Sequence, residues 1–264
     1  MYRQHFGITA CPLDKGATSL FDDGQISQLN ARFQWLIDAP GVGLLTGEAG
    51  VGKTAALRHF TETLNPHRYQ VIYAADTDCS RRDMYRNLAI ALGLEPAYRR
   101  TQLWRDIKER IVDLADNKQV QLIWIIDEAQ NLEAQFFSDF PAFLNFAFDA
   151  RDLMTVWFVG LPNLAYRIDR TANVALASRL HVRVHLQPIQ NHADFEELVK
   201  HGFAEVGCQQ TLLSDSGLEL LRQASQGKPR QASQIIKAAL RLAVPKGLTH
   251  LPDELIQEAV AVLR

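Results

Sequence analysis

The sequence has 264 residues, of which 47% are hydrophobic and 22% are charged, with 28 Lys and Arg residues and 30 Asp and Glu residues. A chain of this length can bury a large apolar core, and its formal charge of -2 excludes a uniformly basic nucleic-acid coat and an acidic disordered tail. Any contact with DNA must therefore use a local patch of the surface.

The cysteines and the apolar runs restrict where the protein can act. Three cysteines without a C-x-x-C pair argue against a disulfide framework and against a cysteine zinc site. No apolar run approaches the roughly 18–20 residues of a membrane helix, and the first residues lack the apolar stretch of a signal peptide. We therefore expect a cytoplasmic protein without a membrane partner.

Five short apolar runs alternate with longer helical patterns. The runs cover residues 43–46, 71–75, 122–126, 155–159 and 182–186. The third and fourth runs are apolar at nearly every position, which is typical of strands covered on both faces, whereas the fifth alternates and predicts an edge strand. The pattern predicts an α/β fold with a mostly parallel five-stranded sheet between helices.

Helical spacing of apolar residues fills the segments between and after these runs. It predicts helices over residues 54–64, 81–93, 101–115 and from Leu132 as far as Phe148, and later over residues 194–206, 214–226, 229–243 and 252–263. Ser80 and Ser214 are the expected N-caps of two of these helices. Strand signals stop after Pro188, which predicts a domain boundary near residue 190.

A glycine-rich loop follows the first apolar run. Residues 47–54 match the pattern G-x-x-x-x-G-K-[ST] between a predicted strand and a predicted helix. Glycines let successive N–H groups face a phosphate, and the N-terminus of the helix adds a positive dipole. We expect ATP on this loop, with Lys53 at the β- and γ-phosphates and Thr54 at Mg²⁺. The expected nucleotide-binding residues are Gly47, Glu48, Ala49, Gly50, Val51, Gly52, Lys53, Thr54 and Ala55.

Two adjacent carboxylates follow the third apolar run. Asp127 and Glu128 come directly after Leu122-Ile-Trp-Ile-Ile126, where a buried strand would end. One carboxylate can hold Mg²⁺ with its water shell while its neighbour polarises the attacking water. We therefore predict Asp127 as a metal ligand and Glu128 as the general base of ATP hydrolysis.

The order of these motifs resembles that of an AAA+ ATPase over nearly the whole chain. Several segments also resemble the ExeA-like group, which overlaps the transposition ATPases of the TnsC, TniB, IstB and MuB type. They are Tyr2-Arg-Gln-His-Phe-Gly7, Leu45-Thr-Gly-Glu48, Asp127-Glu-Ala-Gln130, Val159-Gly160 and Gly227-Lys-Pro-Arg230. The resemblance implies a nucleotide-binding αβα domain over residues 1–190, whose segment 1–25 packs near the nucleotide, and a helical lid domain over residues 191–264.

The resemblance also implies two arginines that act on the γ-phosphate. Arg179 stands where AAA+ proteins place an arginine finger that reaches the neighbouring subunit, with Arg167 and Arg170 as competing candidates. An internal salt bridge of Arg179 is the alternative. Arg230 lies in a segment similar to the sensor 2 motif and would contact ATP in its own subunit, and an ordinary exposed arginine in a first helical turn is the alternative.

The end of the fourth predicted strand departs from the AAA+ pattern. Many members of that class have Asn, Ser or Thr there, whereas this chain has Gly160, and Asn163 follows three residues later. Asn163 is therefore the candidate for the sensor 1 residue. The departure fits slow hydrolysis that serves as a switch.

A basic stretch lies between the second and third predicted strands. Residues 81–110 hold eight Lys and Arg residues against four Asp and Glu residues. Two helices are predicted here, where a plain AAA+ core usually has one. The additional helix resembles the inserted element that initiator and transposition ATPases turn toward DNA, which implies contacts to phosphates without base readout. The expected DNA-binding residues are Arg81, Arg82, Arg86, Arg99, Arg100, Arg105 and Lys108. Solvated helix faces with pairs such as Arg105 and Glu109 are the alternative.

The function that the resemblance implies is ATP-dependent assembly on double-stranded DNA. Copies of the chain would form a ring or a filament with ATP between subunits, select a target for transposition and recruit a transposase. One alternative is an ExeA-like ATPase of secretion or envelope assembly. Another is an ATPase similar to replication initiators or clamp loaders.

Overall fold

The computed structural model describes residues 2–16, 19–210 and 212–263. Its strands are β1 (Val42–Gly47), β2 (Tyr69–Ala74), β3 (Gln121–Ile126), β4 (Met154–Gly160) and β5 (Leu180–Leu186). Each strand coincides with one of the five apolar runs, so the strand positions predicted from the sequence are confirmed.

The strands form one parallel sheet in the order β2-β3-β4-β1-β5. Every residue of β1 and β4 is buried, as expected for strands that are covered on both faces. At one edge, β5 alternates between inward residues and exposed ones, which confirms the predicted edge strand. The predicted α/β fold with a parallel five-stranded sheet is therefore confirmed.

Helices connect the strands and form the C-terminal part. Before β5 they are α1 (Tyr2–Phe6), α2 (Gln25–Asp38), α3 (Lys53–Glu62), α4 (Arg81–Ala91), α5 (Arg100–Val112), α6 (Ala134–Leu144), α7 (Asn163–Ile168) and α8 (Val174–Ala177). After β5 they are α9 (His192–Glu205), α10 (Asp215–Ser225), α11 (Pro229–Ala243) and α12 (Asp253–Leu263). Within the described ranges, none of them combines the length and the apolarity that crossing a bilayer requires. The predicted cytoplasmic location stays a prediction.

Local side-chain chemistry accounts for several helix starts. The hydroxyl of Ser80 accepts a hydrogen bond from the N–H of Asp83 at 3.2 Å, and the hydroxyl of Ser214 accepts one from the N–H of Gly217 at 2.9 Å. Both serines are N-caps, as predicted. α11 begins at Pro229, whose fixed φ suits the first turn of a helix.

The prediction of a helix that extends as far as Phe148 is wrong for the last residues of that range. α6 ends at Leu144, and Ala147, Phe148 and Asp149 have φ values of 48°, 58° and 66°. A left-handed backbone cannot continue a right-handed α-helix. Phe148 consequently does not extend the apolar face of α6, and its side chain is fully exposed.

The contacts group the chain into two compact units. One comprises Gln28–Glu48 and Phe60–Leu186, and its core combines sheet residues with aromatic residues of α6. The other comprises Met1–Ser27, Ala49–His59 and Gln187–Arg264, and in it the N-terminal segment shares an apolar core with the C-terminal helices. The predicted domain boundary near residue 190, and the packing of residues 1–25 near a nucleotide, stay predictions.

Gly43 permits the close packing of the central strand β1. An added Cβ there would lie 2.7 Å from Cε3 of Trp157 and 2.9 Å from Cδ1 of Leu36, and both of these side chains are buried. We expect Gly43→Ala to lower the free energy of unfolding by about 1–3 kcal/mol, because overpacking forces buried side chains from their preferred rotamers. Denaturant unfolding followed by circular dichroism measures the change. Gly16→Ala is the control, since nothing lies within 4 Å of its added Cβ. Equal stability of the two variants would contradict the packing argument.

Candidate functional site

The glycine-rich loop leaves β1 after Gly47 and enters α3 at Lys53. Gly50 and Gly52 have φ values of +86° and +107°, a backbone region that residues with side chains rarely adopt. Successive N–H groups in such turns form a concave site for an anion, and the N-terminus of α3 adds a partial positive charge. The loop therefore has the backbone shape that a phosphate group requires.

The side chains of this loop differ in their exposure. Glu48 and Ala49 are exposed, while Val51 is buried. Lys53 is also buried, with 8% of its surface accessible, and Thr54 and Ala55 are half-buried. Because α3 begins at Lys53, the first turn of this helix carries both the ammonium group of Lys53 and the hydroxyl group of Thr54.

The start of α11 contacts the same loop. The backbone N–H of Arg230 donates a hydrogen bond to the carbonyl oxygen of Gly50 at 3.3 Å. A Cβ added at Gly50 would lie 2.9 Å from the Cβ of Arg230, so the two backbones approach closely. Arg230 itself is exposed. The structure therefore brings this predicted residue to the loop, and its action on a γ-phosphate stays a prediction.

Asp127 directly follows β3, and only 4% of its surface is accessible. Its Oδ1 accepts a hydrogen bond from the N–H of Glu128 at 2.9 Å, and its Oδ2 accepts one from the hydroxyl of Tyr73 at 2.9 Å. Burial, together with the nearby charge of Asp127, raises the pKa of Tyr73, so the phenol keeps its proton and remains a donor. These bonds orient the carboxylate predicted to hold a metal ion.

Glu128 differs from its neighbour because it is exposed. Its backbone is left-handed, with φ 51° and ψ 33°, and its carbonyl oxygen accepts a hydrogen bond from the hydroxyl of Thr77 at 2.9 Å. The side-chain Oε2 accepts a hydrogen bond from Nε2 of Gln130 at 2.6 Å. A buried carboxylate beside an exposed one suits the two roles predicted for this pair, which stay predictions.

Gln130 is a site residue that the sequence did not reveal. Its side-chain oxygen accepts a hydrogen bond from the N–H of Leu161 at 3.1 Å, directly after β4. The sequence singles out Gln130 only as part of the segment Asp127-Glu-Ala-Gln130, which carries the family resemblance. Nothing in the local pattern indicates that residues 130 and 161 meet.

Asn163 has an exposed position at the start of α7. At the end of β4 the polar side chain beside Gly160 is instead the amide of Gln130, which an added Cβ at Gly160 would overlap. The role of Asn163 as sensor 1 stays a prediction.

Arg179 forms an ion pair with Asp149. Its two terminal nitrogens donate to the two carboxylate oxygens at 2.7 and 2.8 Å. The internal salt bridge that the sequence left open as an alternative is therefore present. A role of Arg179 at a neighbouring subunit would require this pair to open, and that role stays a prediction.

The two competing arginines have contrasting surroundings. Arg167 donates hydrogen bonds to the carbonyl oxygens of Gln130 and Leu132, and its guanidinium lies 5.1 Å from the centre of the Phe137 ring. Burial, with the nearby charge of Arg170, lowers the pKa of Arg167. Arg170 is exposed. Arg167 thus connects the segment after β3 to α7, which is a structural task.

Several residues of the basic stretch make contacts within the protein. Arg81 and Arg100 both pair with Asp139, and the guanidinium of Arg100 lies 4.4 Å from the centre of the Trp104 ring. In the same stretch, Lys108 donates to the carbonyl oxygens of residues 142 and 145 at 3.1 and 3.0 Å.

The other predicted residues of this stretch differ in their accessibility. Arg82 is half-buried and donates a hydrogen bond to the carbonyl oxygen of Tyr98, and its guanidinium lies 4.5 Å from the centre of the exposed Tyr98 ring. Arg86 is half-buried, and Arg99 and Arg105 are exposed. DNA binding by the seven residues stays a prediction, with Arg99 and Arg105 the most accessible to a phosphate.

Comparison with known proteins identifies the family. The family model described as an AAA domain matches residues 37–168, half of the chain, and this range includes the glycine-rich loop, Asp127 and Glu128. The chain belongs to the AAA domain family. It is therefore an AAA+ ATPase, a class whose fold binds a nucleotide, typically with Mg²⁺.

A curated relative of this AAA domain is the General secretion pathway protein A of Aeromonas hydrophila, which is 28% identical over 255 residues. The match covers 94% of this chain and 46% of the relative. The chain thus spans about half the length of the curated relative that it matches.

Solved structures share the fold of this AAA domain. Cdc6p from Pyrobaculum aerophilum is 17% identical with a TM-score of 0.69, over 95% of this chain and 71% of that one. The ORC1 protein of Aeropyrum pernix in complex with DNA is 16% identical with a TM-score of 0.69, over 95% of this chain and 68% of that one. At such low identity the likeness shows a common fold alone.

The contrast between Arg167 and Arg170 leads to a test of stability. We expect Arg167→Ala to lower the free energy of unfolding by about 1.5–3 kcal/mol, because two charge-assisted hydrogen bonds to carbonyl groups are lost. The exposed Arg170→Ala should change it by less than about 0.5 kcal/mol. Urea unfolding of both variants measures the difference. A loss of equal size in the two would contradict the structural task of Arg167.

Proposed function

We propose that this AAA domain binds ATP with Mg²⁺ on residues 47–55 and hydrolyses it with the help of Asp127 and Glu128. One observation carries the proposal: β1 and β3 belong to the same parallel sheet, with β4 between them. The carboxyl ends of parallel strands share one edge of a sheet, which is where ligands bind in open α/β folds. The glycine-rich loop follows β1, and the two acids follow β3.

The residues after these strands fit both ligands. The left-handed turns at Gly50 and Gly52, with the helix N-terminus behind them, suit a polyphosphate. The hydroxyl of Thr54 and the carboxylate of Asp127 are the oxygen ligands that a hard cation prefers. When bound, Mg²⁺ neutralises charge on the transferring phosphoryl group.

The side chains of the chain divide the remaining work. Lys53 binds the β- and γ-phosphates, and Glu128 accepts a proton from the attacking water. Arg230 contacts the γ-phosphate from α11. Arg179 leaves Asp149 and reaches the γ-phosphate held by a neighbouring copy, so hydrolysis is slow until copies assemble.

Two substitutions separate ATP binding from hydrolysis. We expect Lys53→Ala to abolish ATP binding, because the loop loses its ammonium group. We expect Glu128→Gln to retain ATP and to lower turnover by roughly 10²–10⁴-fold, because the general base is lost. Titration with a fluorescent ATP analogue and steady-state phosphate release measure the two effects.

The control for these substitutions is Glu95→Gln, which changes an exposed acid in the loop between α4 and α5. It should bind and hydrolyse ATP as the unmodified chain does. Normal turnover in Glu128→Gln would contradict the assignment of the base. Normal binding in Lys53→Ala would contradict the assignment of the loop.

The cellular role that we propose is ATP-dependent assembly on double-stranded DNA, with selection of a transposition target and recruitment of a transposase. Support comes from the resemblance of several segments to the ExeA-like group, which overlaps the transposition ATPases, and from the excess positive charge of residues 81–110. Arg99 and Arg105 are exposed in this stretch, as contacts to DNA phosphates require. A protein of the same fold, the ORC1 protein of Aeropyrum pernix, was solved in complex with DNA.

A role in secretion is the second candidate. It is favoured by the match to the General secretion pathway protein A, which extends over 94% of this chain. The internal pairing of Arg81 and Arg100 with Asp139 also removes part of the charge available to DNA. In this role the ATPase cycle would drive assembly of a protein machine, and DNA would not be a partner.

Binding to duplex DNA of random sequence distinguishes the two roles. Measured with ATP, with ADP and without nucleotide at two salt concentrations, binding should occur with ATP and weaken as salt rises. The logarithm of the binding constant falls linearly with the logarithm of the salt concentration, and the double variant Arg99→Ala, Arg105→Ala should make this slope shallower by about 1 for each arginine. The control is Arg68→Ala, Arg241→Ala, which removes exposed arginines outside the basic stretch. Absence of binding in every nucleotide state would contradict the DNA role and favour secretion.

A further inference from the structure

A single amide side chain connects the ends of β3 and β4. Nε2 of Gln130 donates a hydrogen bond to Oε2 of Glu128 at 2.6 Å, and its Oε1 accepts one from the N–H of Leu161 at 3.1 Å. We propose that Gln130 is a positioning residue for ATP hydrolysis, which holds the carboxylate of Glu128 in the orientation that its action as a base requires. This inference rests on the proposed function of Glu128.

The end of β4 is shaped to receive this amide. An added Cβ at Gly160 would overlap Oε1 of Gln130, so a glycine is needed for the amide to reach the N–H of Leu161. The family resemblance predicts a polar side chain on this strand end. Here the strand carries none at Gly160, and the amide of Gln130 occupies the adjacent space. The polar group therefore comes from the segment after β3.

The backbone of Gln130 is also fixed. Its carbonyl oxygen accepts a hydrogen bond from Arg167, which binds the carbonyl oxygen of Leu132 at 2.7 Å as well. Within the turn Ala129–Asn131, the N–H of Asn131 donates to the carbonyl oxygen of Glu128 at 3.0 Å. Gln130 is thus anchored at its carbonyl group and at its side-chain oxygen, and its NH₂ group is directed at Glu128.

The carboxylate of Glu128 needs such a partner because it is exposed. A long side chain in solvent samples several rotamers, and only some of them would present an oxygen to an attacking water. The hydrogen bond on Oε2 restricts the carboxylate, and Oε1 is the oxygen that does not accept from this amide. A base that is already oriented loses little conformational entropy when it reaches the transition state, and this is the basis of positioning effects in catalysis.

Substitutions of Gln130 test the proposal in the full chain, under conditions in which the unmodified chain hydrolyses ATP. We expect Gln130→Ala to lower kcat by about 10–100-fold, the size typical of a misplaced catalytic group, with the affinity for ATP unchanged. Gln130→Glu keeps an acceptor for Leu161 but lacks the donor for Glu128, so kcat should fall at least as far. A purely structural role would leave Gln130→Glu close to the unmodified chain.

A second variant reaches the same amide from the other side. Gly160→Ala should displace the side chain of Gln130 and lower kcat to a similar extent, and the combination of Gly160→Ala with Gln130→Ala should be little worse than either alone. Asn131→Ala is the control, because it removes an exposed amide side chain from the same turn. It should leave kcat unchanged. Urea unfolding of each variant reports whether it is folded. If Gln130→Ala does not fold, the kcat of Gly160→Ala tests the proposal instead.

The outcomes separate this inference from the function on which it rests. Normal kcat in Gln130→Ala, beside an inactive Glu128→Gln, would overturn the role of Gln130 and leave Glu128 as the base. Normal kcat in Glu128→Gln would overturn both. Fully additive losses in Gly160→Ala and Gln130→Ala would also overturn the inference, because the two changes would then act on different contacts.

Discussion

The parallel pairing of β4 with both β1 and β3 is the constraint on which the rest of the molecule depends. The register aligns Thr46 with Gly160 and Phe158 with Ile126, so the three strands end at the same edge of the sheet, within a few residues of one another. The segments that leave them are the glycine-rich loop, the link to α7 and the pair of acids. This alignment requires two fully buried strands, and Gly43 makes room for Trp157 within that packing. Chemistry at the edge of the sheet is therefore supported by close packing in its centre.

The features that could be predicted from the sequence are those determined by short segments. Apolar runs located the five strands, a serine located each of two helix starts, and the glycine spacing located the loop between β1 and α3. In each case the deciding residues are neighbours in the chain, so their pattern carries the information. The early end of α6 escaped prediction, because Phe148 continues the apolar spacing while its backbone turns left-handed.

Contacts between distant segments could not be predicted in this way. Gln130 meets Leu161, Arg167 binds the carbonyl group of Leu132, and Arg179 pairs with Asp149. Each contact joins residues that lie about thirty positions or more apart in the sequence. A periodic pattern relates only residues that are near neighbours in the chain, so it does not predict such pairs. The same limit applies to charge. Counting Lys and Arg identifies a basic stretch, but the pairing of two of its arginines with Asp139 decides how much of that charge faces solvent.

If Arg179 acts at a phosphate as proposed, its ion pair with Asp149 makes recruitment of this arginine a competition between anions. A phosphate that attracts Arg179 must displace a carboxylate, so only the difference between the two pairs contributes to the new contact. The two side chains are 25% and 49% exposed, and pairs at such surfaces contribute up to about 1 kcal/mol. A free-energy cost of this size favours highly charged anions over singly charged ones. A singly charged anion gains little when it replaces Asp149 as the partner of Arg179, whereas a polyphosphate gains more. Asp149 can therefore protect the arginine from weak anions in solution without keeping it from a nucleotide.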